Sequence, residues 1–304
     1  MKWAKKGRIF VPDQSLWWAK QYAGIPTVEN IDDKFFRIYY YSMDENMDGR
    51  ISFIDVDIDD PSRIINIEKE PILDIGSIGT FDDSGICPSC IITINNKKHL
   101  YYLGVQRCEK APYMYFAGVA IQEDDGKFYK HARTPILDRT SYEPFTRSAT
   151  SIIFDESKYR MWYVSAFSWI TFNNKPCPAY IIKHAESDNG IDWSTDEKVC
   201  IGPDNPDEFG FGRPWVIKEN GIYKMWYSIR SYSKPYEIGY GESLDGLNWI
   251  RKDNEAGISR SVSGWDSEMI CYPCVIDAHG KRYMFHNGNR HGSTGFGYAI
   301  LESE

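Results

Sequence analysis

Residues 224–249 read KMWYSIRSYSKPYEIGYGESLDGLNW, and the features of this stretch recur along the chain. Its aromatic segment, MWYS around Trp226, has four counterparts at nearly constant spacing. These are IYYYS around Tyr39, LYYLG around Tyr101, MWYVS around Trp162 and MFHNG around Phe285, and the successive steps measure 62, 61, 64 and 59 residues. A fixed period of this kind indicates an internal structural repeat.

A second landmark precedes each aromatic segment and keeps the same period. It is a short turn followed by the start of a strand, with steps of 62, 61, 65 and 59 residues. The five copies are GIPTV at Pro26, ICPSC at Pro88, RSATS at Ala149, GRPWV at Pro214 and CYPCV at Pro273. Two landmarks with one period predict five copies of one unit.

A third landmark is an Asp-Gly or Asn-Gly pair followed by an aromatic residue, in the segments DDGKFY, DNGIDW and LDGLNW. Such pairs supply the positive φ that a tight hairpin turn requires. Each copy is therefore predicted to contain four antiparallel strands. Four-stranded units at this spacing are typical of propeller blades. The sequence thus predicts an all-β fold, a five-bladed β-propeller with four-stranded antiparallel blades, as a single domain over residues 1–304.

The N-terminal segment is predicted to close the ring. The last copy ends at GFGYAILESE, before an outer strand, whereas KWAKKGRIF near the N-terminus resembles the outer-strand segment NWIRKDNEAGI of the fourth copy. Trp3 then matches Trp249. Closure by this strand would remove exposed sheet edges. The recurring aromatic residues are predicted to form the core between blades, among them Tyr40, Tyr102, Tyr163 and Tyr227.

The composition excludes several classes of partner. Among the 304 residues, 35 Lys and Arg stand against 43 Asp and Glu, for a net charge of −8. This charge argues against a nucleic-acid partner, because phosphate contacts need a basic face. There is no apolar run of ~18 residues, which a membrane span requires, and the basic N-terminus lacks the apolar region of a secretory signal. We therefore expect a cytoplasmic protein with no membrane partner.

Seven cysteines, an odd number in a chain without a secretory signal, indicate reduced thiols. The pairs Cys87/Cys90 and Cys271/Cys274 have the CxxC spacing of zinc half-sites. Both pairs fall in predicted strands, where residues i and i+3 point to opposite faces. They are therefore expected to be buried structural cysteines.

The mouth of a propeller channel is the expected ligand site, and residues just before the second landmark should lie there. The catalytic candidates are carboxylates of this region: Asp82, Asp83, Glu143, Glu208 and Glu268. Converging carboxylates acquire separated pKa values that suit acid–base catalysis, and two carboxylates flanking a bond are the usual apparatus of glycoside hydrolysis. Asp83 and Glu268 are the preferred pair. For each carboxylate, the alternative is a structural role in accepting hydrogen bonds from a turn.

Two arginines, Arg147 and Arg213, precede the innermost strands of adjacent copies. Arginine binds carboxylates and phosphates in a bidentate manner, so arginines facing the channel would select an anionic ligand. The alternative is that each forms an internal ion pair with Glu143 or Glu208, and both interpretations are open. The further candidates for substrate binding are Arg230, Gln21, Tyr272, Asn287 and Trp169.

With this period and these turns, the sequence resembles the five-bladed β-propeller glycoside hydrolases, the superfamily of arabinanases, β-xylosidases, invertases and levansucrases. The segments GTFDDSGICPS, GRPWV and GWDSEMICYP are similar to glycosyl-hydrolase-like proteins encoded with bacterial surface-polysaccharide genes. The resemblance implies a carbohydrate-active protein. That superfamily usually has an Asp before the first-blade Pro and a Glu on the third innermost strand. Here Ile25 and the run Arg147-Ser148-Ala149 occupy those places.

Three functions are compatible with the sequence. The first is a glycosidase-like enzyme that acts on an acidic sugar or a surface-polysaccharide precursor. The second is a sugar or nucleotide-sugar transferase or a related biosynthetic enzyme, and the third is a glycan-binding propeller without catalysis. All three take a sugar or glycan as ligand. We expect no cofactor, although some members of the superfamily hold a cation in the channel, and His286 is the residue that would contact it.

Overall fold

Strands dominate the computed structural model, which describes residues 1–303. Within that range the helical segments are Asp253–Glu255 and Asn289–Gly292, and no helix is long and apolar enough to cross a membrane. The predicted all-β fold is confirmed. The strands, labelled β1 to β20 in sequence order, span Lys2–Phe10, Gln21–Asn30, Phe35–Met43, Gly49–Asp57, Ile64–Ile67, Gly85–Ile94, Lys97–Arg107, Tyr113–Gln122, Phe128–Lys130, Arg147–Asp155, Lys158–Phe172, Lys175–Ser187, Ser194–Ile201, Glu208–Glu219, Ile222–Ser231, Glu237–Ser243, Ile250–Arg251, Cys271–Ala278, Lys281–Asn287 and Phe296–Ser303.

Hydrogen bonding groups these strands into five antiparallel runs of four. Four of the runs follow sequence order, β2–β5, β6–β9, β10–β13 and β14–β17, and the fifth joins β18–β20 to β1. Single parallel bridges, Gly49 with Gly85 and Phe116 with Arg147, join the first three runs into one twelve-stranded sheet. The N-terminal segment lies where the sequence predicts it, because Trp3 pairs with Leu301 at the edge of the fifth run.

A repeated aromatic pair joins each run to the one before it. The aromatic residue that follows an Asx-Gly turn packs edge-to-face on the second strand of the preceding run. The ring centroids lie 6.2, 6.4 and 6.0 Å apart in the pairs Phe128–Tyr39, Trp193–Tyr101 and Trp249–Trp162. Trp3 makes the same contact with Trp226 at 6.3 Å, as its match to Trp249 predicts. Edge-to-face geometry suits the charge distribution of aromatic rings.

The other sequence-level features of the core agree with the structure. The turn glycines Gly126, Gly190 and Gly246 have φ values of 79°, 75° and 75°. The aromatic residues predicted to be core are at most 1% exposed: Tyr40, Tyr102, Tyr163 and Tyr227. All seven cysteines are unpaired, and Cys87, Cys90, Cys271 and Cys274 are buried in first strands.

The first strands of the five runs meet at the middle of the molecule. Each of β2, β6, β10 and β14 packs against the first strand of the next run, and β18 packs against β2. Side chains reinforce these contacts. Ser151 on β10 accepts a hydrogen bond from the amide of Val216 on β14 (2.9 Å), and Ser89 on β6 donates one to the carbonyl of Thr150 (2.9 Å).

Arg213 on β14 lies at the centre of this arrangement. Its guanidinium donates hydrogen bonds to the carbonyls of Pro273 (2.6 Å), Pro26 (3.1 Å) and Ser89 (3.3 Å) and to the hydroxyl of Thr27 (2.8 Å). These acceptors lie on β18, β2 and β6. One guanidinium therefore binds the first strands of three other runs, and the residue is only 2% exposed.

Replacing Trp3 by Ala should destabilise the whole fold. The indole is 7% exposed and packs between the fifth and fourth runs, so its loss leaves a cavity there. We expect the free energy of unfolding to fall by about 3–5 kcal/mol in urea denaturation followed by circular dichroism. Trp17→Ala is the matched control, because Trp17 is 51% exposed. An equal loss in both variants would contradict this prediction.

Replacing Arg213 by Met should also lower the free energy of unfolding, by about 3 kcal/mol or more, because several buried acceptors lose their donor at once. Urea denaturation measures the change, with Arg133→Met, at an exposed position, as the control. A stability equal to that of the control would show that the central hydrogen bonds are dispensable.

Candidate functional site

Each first strand is irregular at the second sequence landmark. The register against the second strand shifts in all five runs: between Gly24 and Thr27, Pro88 and Cys90, Ser148 and Ser151, Gly212 and Trp215, and Cys271 and Cys274. Four of these bulges hold a non-glycine residue at positive φ: Ile25 (54°), Ala149 (51°), Arg213 (47°) and Tyr272 (58°). Such backbone is strained, above all for a β-branched residue such as Ile25. Clustered strain of this kind often marks a functional site.

The bulges form the wall of one cavity of about 320 Å³. Every bulge contributes to the lining: Ile25 from the first, Pro88 and Ser89 from the second, Ser148 and Ala149 from the third, Gly212 and Arg213 from the fourth and Tyr272 from the fifth. The ends of the second strands and the starts of the third strands complete the wall. The volume falls within the range of small-molecule sites.

Tyrosine is the most frequent side chain of the wall. The six tyrosines are Tyr41, Tyr113, Tyr115, Tyr180, Tyr236 and Tyr272. Tyr113 and Tyr115 stack in parallel with their centroids 4.4 Å apart. Burial raises the pKa of all six hydroxyls above the ordinary value, so they remain protonated at neutral pH. The wall therefore offers flat aromatic faces with neutral polar edges.

Arg230 supplies a buried positive charge to this wall. The residue is 7% exposed and lies against the rings of Phe209, Tyr180 and Tyr236, at 4.7, 5.1 and 5.8 Å from their centroids. Its guanidinium donates to the Pro178 carbonyl (3.0 Å) and to the Cys177 sulfur. Within residues 1–303, its Nε has no hydrogen-bond partner, and the guanidinium forms no ion pair with a carboxylate. Because Nε itself is buried, an anion would reach this guanidinium through its terminal nitrogens, each of which makes one hydrogen bond within the protein.

Tyr272 links the cavity to a partly buried histidine. Its hydroxyl lies 3.3 Å from Nδ1 of His291, whose ring also packs against Tyr236 with centroids 4.8 Å apart. Burial and the charge of Arg230 lower the pKa of His291 to about 4. The imidazole is therefore neutral at pH 7 and adds no charge to the site.

The predicted carboxylates lie outside the cavity wall, which contains no Asp or Glu among residues 1–303. Asp82 is buried in an ion pair with Lys130 (2.6 Å) and accepts a hydrogen bond from Tyr102. Asp83 accepts hydrogen bonds from the Gly79 amide (2.8 Å) and the Ser84 hydroxyl (2.7 Å). Both carboxylates thus have the structural role that the sequence left as an alternative.

The three glutamates are equally separate from the cavity. Glu143 is 5% exposed and accepts a hydrogen bond from Ser165 (2.7 Å). Glu208 forms a two-bond ion pair with Arg251, and although burial opposes it, this pairing lowers the pKa of Glu208. Glu268 is exposed. The structure does not bring the preferred pair, Asp83 and Glu268, together in the cavity.

The arginines separate into different roles. Arg147 forms an internal ion pair with Glu143 (3.1 Å) and does not line the cavity, so the alternative interpretation holds for it. Arg213 does line the cavity, but its partners are the carbonyls of the first strands. Nε has no partner in either Arg213 or Arg230, and Arg230 differs because each of its terminal nitrogens makes a single hydrogen bond.

The other substrate-binding candidates are distributed around the site. Tyr272 lines it. Asn287 is fully buried and holds the first bulge, because its side-chain oxygen accepts a hydrogen bond from the Ile25 amide at 2.7 Å. Trp169 lies behind the wall against Tyr113, with centroids 6.3 Å apart. Gln21 is exposed and is not part of the wall.

His286, the residue considered for a cation, is fully buried and stacks on Trp265 with centroids 5.1 Å apart. Burial and the charge of Lys5 lower its pKa to about 4. Across the part of the sequence that the structure describes, no group of three or more His, Cys, Asp or Glu residues is placed to hold a metal ion.

Sequence reasoning missed most of the cavity tyrosines. It assigned recurring aromatic residues to the core, and Tyr41 follows directly on the core residue Tyr40. One signal was available. Tyr113 and Tyr115 are two residues apart on β8, so their side chains point to the same face of the strand, at the strand end nearest the site.

Comparisons with known proteins support the fold. No protein-family model matches the chain. A putative glycoside hydrolase from Bacteroides ovatus superposes with a TM-score of 0.75 at 16% identity, covering 100% of this chain and 97% of that one. A thermostable family-43 glycoside hydrolase gives a TM-score of 0.67 at 18% identity, covering 96% and 92%. The predicted resemblance to propeller glycoside hydrolases is therefore confirmed at the level of the fold.

One comparison extends to the sequence itself. Uncharacterized protein Rv1502 of Mycobacterium tuberculosis is 35% identical over 303 residues, which cover 100% of each of the two proteins. Identity of this extent over the whole length of both shows common descent, and the protein described here belongs to the same family as Rv1502.

Proposed function

We propose that this protein is carbohydrate-active and binds an acidic sugar or glycan in the tyrosine-lined cavity. The observation that carries the proposal is Arg230, a buried guanidinium in the cavity wall. Its terminal nitrogens make one hydrogen bond each, and it has no carboxylate partner among residues 1–303. Aromatic faces that can stack on a sugar ring surround it. The glycoside-hydrolase fold of the structural neighbours supports a carbohydrate as the ligand.

We further infer that the five runs are the blades of one closed propeller, folded as a single domain. Two observations support this. The first strands contact one another in a complete cycle, and Arg213 bonds to strands of the first, second and fifth runs. The pairing of β1 with β20 then acts as the closure between the two ends of the sequence.

Glycoside hydrolysis by a carboxylate pair is not part of the proposal. That chemistry places one carboxyl group on each side of the scissile bond, whereas the cavity wall, within residues 1–303, holds none. The positions where the resembling superfamily has its Asp and Glu lie at the first and third bulges, where this protein presents Ile25 and Ala149 to the cavity. These substitutions favour ligand binding, with or without transfer chemistry, over hydrolysis.

The substitution Arg230→Met tests the anion site. Calorimetric titration with glucuronic acid and N-acetylneuraminic acid should give a Kd that is about ten- to a hundredfold weaker in the variant, because charge-assisted hydrogen bonds are lost. Neutral glucose should bind more weakly than either acid to the unmodified protein. Arg133→Met controls for general loss of positive charge. Equal affinities in both variants would exclude Arg230 as the ligand-binding group.

Substitution of the predicted carboxylates tests the mechanism. Asp83→Asn and Glu268→Gln should change sugar affinity by no more than about twofold, because neither residue lines the cavity and surface substitutions have small effects. Nitrophenyl glycosides of acidic and neutral sugars should not be cleaved in a manner that depends on either residue. A tenfold drop in a measured cleavage rate in either variant would instead support hydrolysis by a carboxylate pair.

A further inference from the structure

We propose that the acidic ligand carries few free hydroxyl groups, so that the cavity accepts one anionic group on a largely apolar ring. The ligand class is a sugar acid whose hydroxyls are absent, as in deoxy sugars, or masked by alkyl or acyl groups. This inference rests on the proposed function, because it specifies the ligand of the same cavity.

The chemistry of the wall is the first argument. Sugar hydroxyls in a desolvated site need acceptors, such as carboxylates, and groups that both donate and accept, such as amides and hydroxyls. Within residues 1–303, the wall contains no Asp, Glu, Asn, Gln, His or Lys side chain. Much of it is aliphatic or sulfur-containing, from Ile25, Met43, Met47, Cys87, Pro88, Leu103, Val105, Pro112, Ala149 and Val164.

Several polar groups of the wall are committed to the fold, which is the second argument. The hydroxyl of Ser89 donates to the Thr150 carbonyl (2.9 Å). Ser84 donates to Asp83 and accepts from the Arg107 amide (3.3 Å). The hydroxyl of Tyr272 is engaged with His291. The hydroxyl of Tyr180 is buried without a partner, but a wall that is mainly aliphatic and aromatic holds too few polar groups to pair every hydroxyl of a fully hydroxylated ring.

The charge distribution limits the ligand to one anionic group. Arg213 uses its terminal nitrogens on the carbonyls of other strands, as described above. Arg107, at the rim, is paired with Asp48 (2.9 Å) and with the carbonyl of Met47 (2.7 Å). Arg230 is the remaining cation of the wall as the structure describes it, and its guanidinium can accept one carboxylate or phosphate. The rest of the ligand then faces tyrosine rings and aliphatic side chains.

A matched pair of ligands tests the inference on the unmodified protein. Cyclohexanecarboxylate has the charge and approximate ring size of glucuronate but no hydroxyls. Because each unpaired buried hydroxyl weakens binding by roughly tenfold, we expect cyclohexanecarboxylate to bind at least tenfold more tightly than glucuronate, measured by ligand-detected NMR and calorimetry. Cyclohexanol, which has no charge, should bind more weakly than cyclohexanecarboxylate. Both acids should lose affinity in Arg230→Met.

The outcomes distinguish the inference from the proposed function. Tighter binding of glucuronate would overturn the inference and leave the proposed function intact. If cyclohexanecarboxylate binds while no sugar acid does, including methylated and deoxy sugar acids, the apolar anion site stands but the carbohydrate function fails. Failure of every acid to bind would overturn both. Tighter binding of a methylated uronate than of glucuronate would support both.

A variant of the wall provides a second, independent measurement. Val105→Thr adds one hydroxyl to the cavity at nearly constant side-chain shape. The ratio of the Kd of glucuronate to that of cyclohexanecarboxylate should therefore decrease severalfold. Val262→Thr is the matched control, because Val262 is fully exposed and lies outside the cavity. An unchanged ratio in Val105→Thr would contradict the inferred role of the apolar wall.

Discussion

The guanidinium of Arg213 is bound almost entirely by main-chain oxygens, in a place where a carboxylate partner would be expected. A buried charge is costly unless many polar groups surround it. Here the carbonyls of Pro26, Ser89 and Pro273 supply that environment, and they can do so only if their strands converge on one point. The buried charge is therefore stable only where the first strands converge, and the positions of these strands determine the shape of the cavity.

The bulges follow from the same constraint. Regular strands at this crowded centre would alternate their side chains between the two faces, whereas an extra residue turns one side chain per strand toward the cavity. Asn287 and Ser228 hold the backbone at two of these bulges, through the amides of Ile25 (2.7 Å) and Tyr272 (2.8 Å). Strain in the backbone is thus offset by neighbouring runs, and each run depends on the next for its local conformation.

The sequence predicted the parts of the structure that repeat. Trp3 could be placed because it matches Trp249, and the Asx-Gly turns have a local conformational signature. The site was harder to predict because its chemistry differs from one copy to the next. Polar residues before the first strands were natural candidates, yet local partners satisfy them: Lys130 pairs with Asp82 and Glu143 pairs with Arg147. Which side chains a bulge turns toward the cavity depends on the register of strand pairing, and this register cannot be derived from the residue types alone.

The edge-to-face contact of Trp3 with Trp226 has a consequence for the order of folding. Residues 2–10 leave the ribosome long before residues 296–303, which provide their hydrogen-bonding partners. During synthesis the first strand is therefore an unpaired edge, and such edges are prone to aggregation. The three lysines and the arginine of KWAKKGRIF give this strand a positive charge until it pairs. The charges of this segment thus oppose aggregation of the unpaired strand until residues 296–303 have been synthesised.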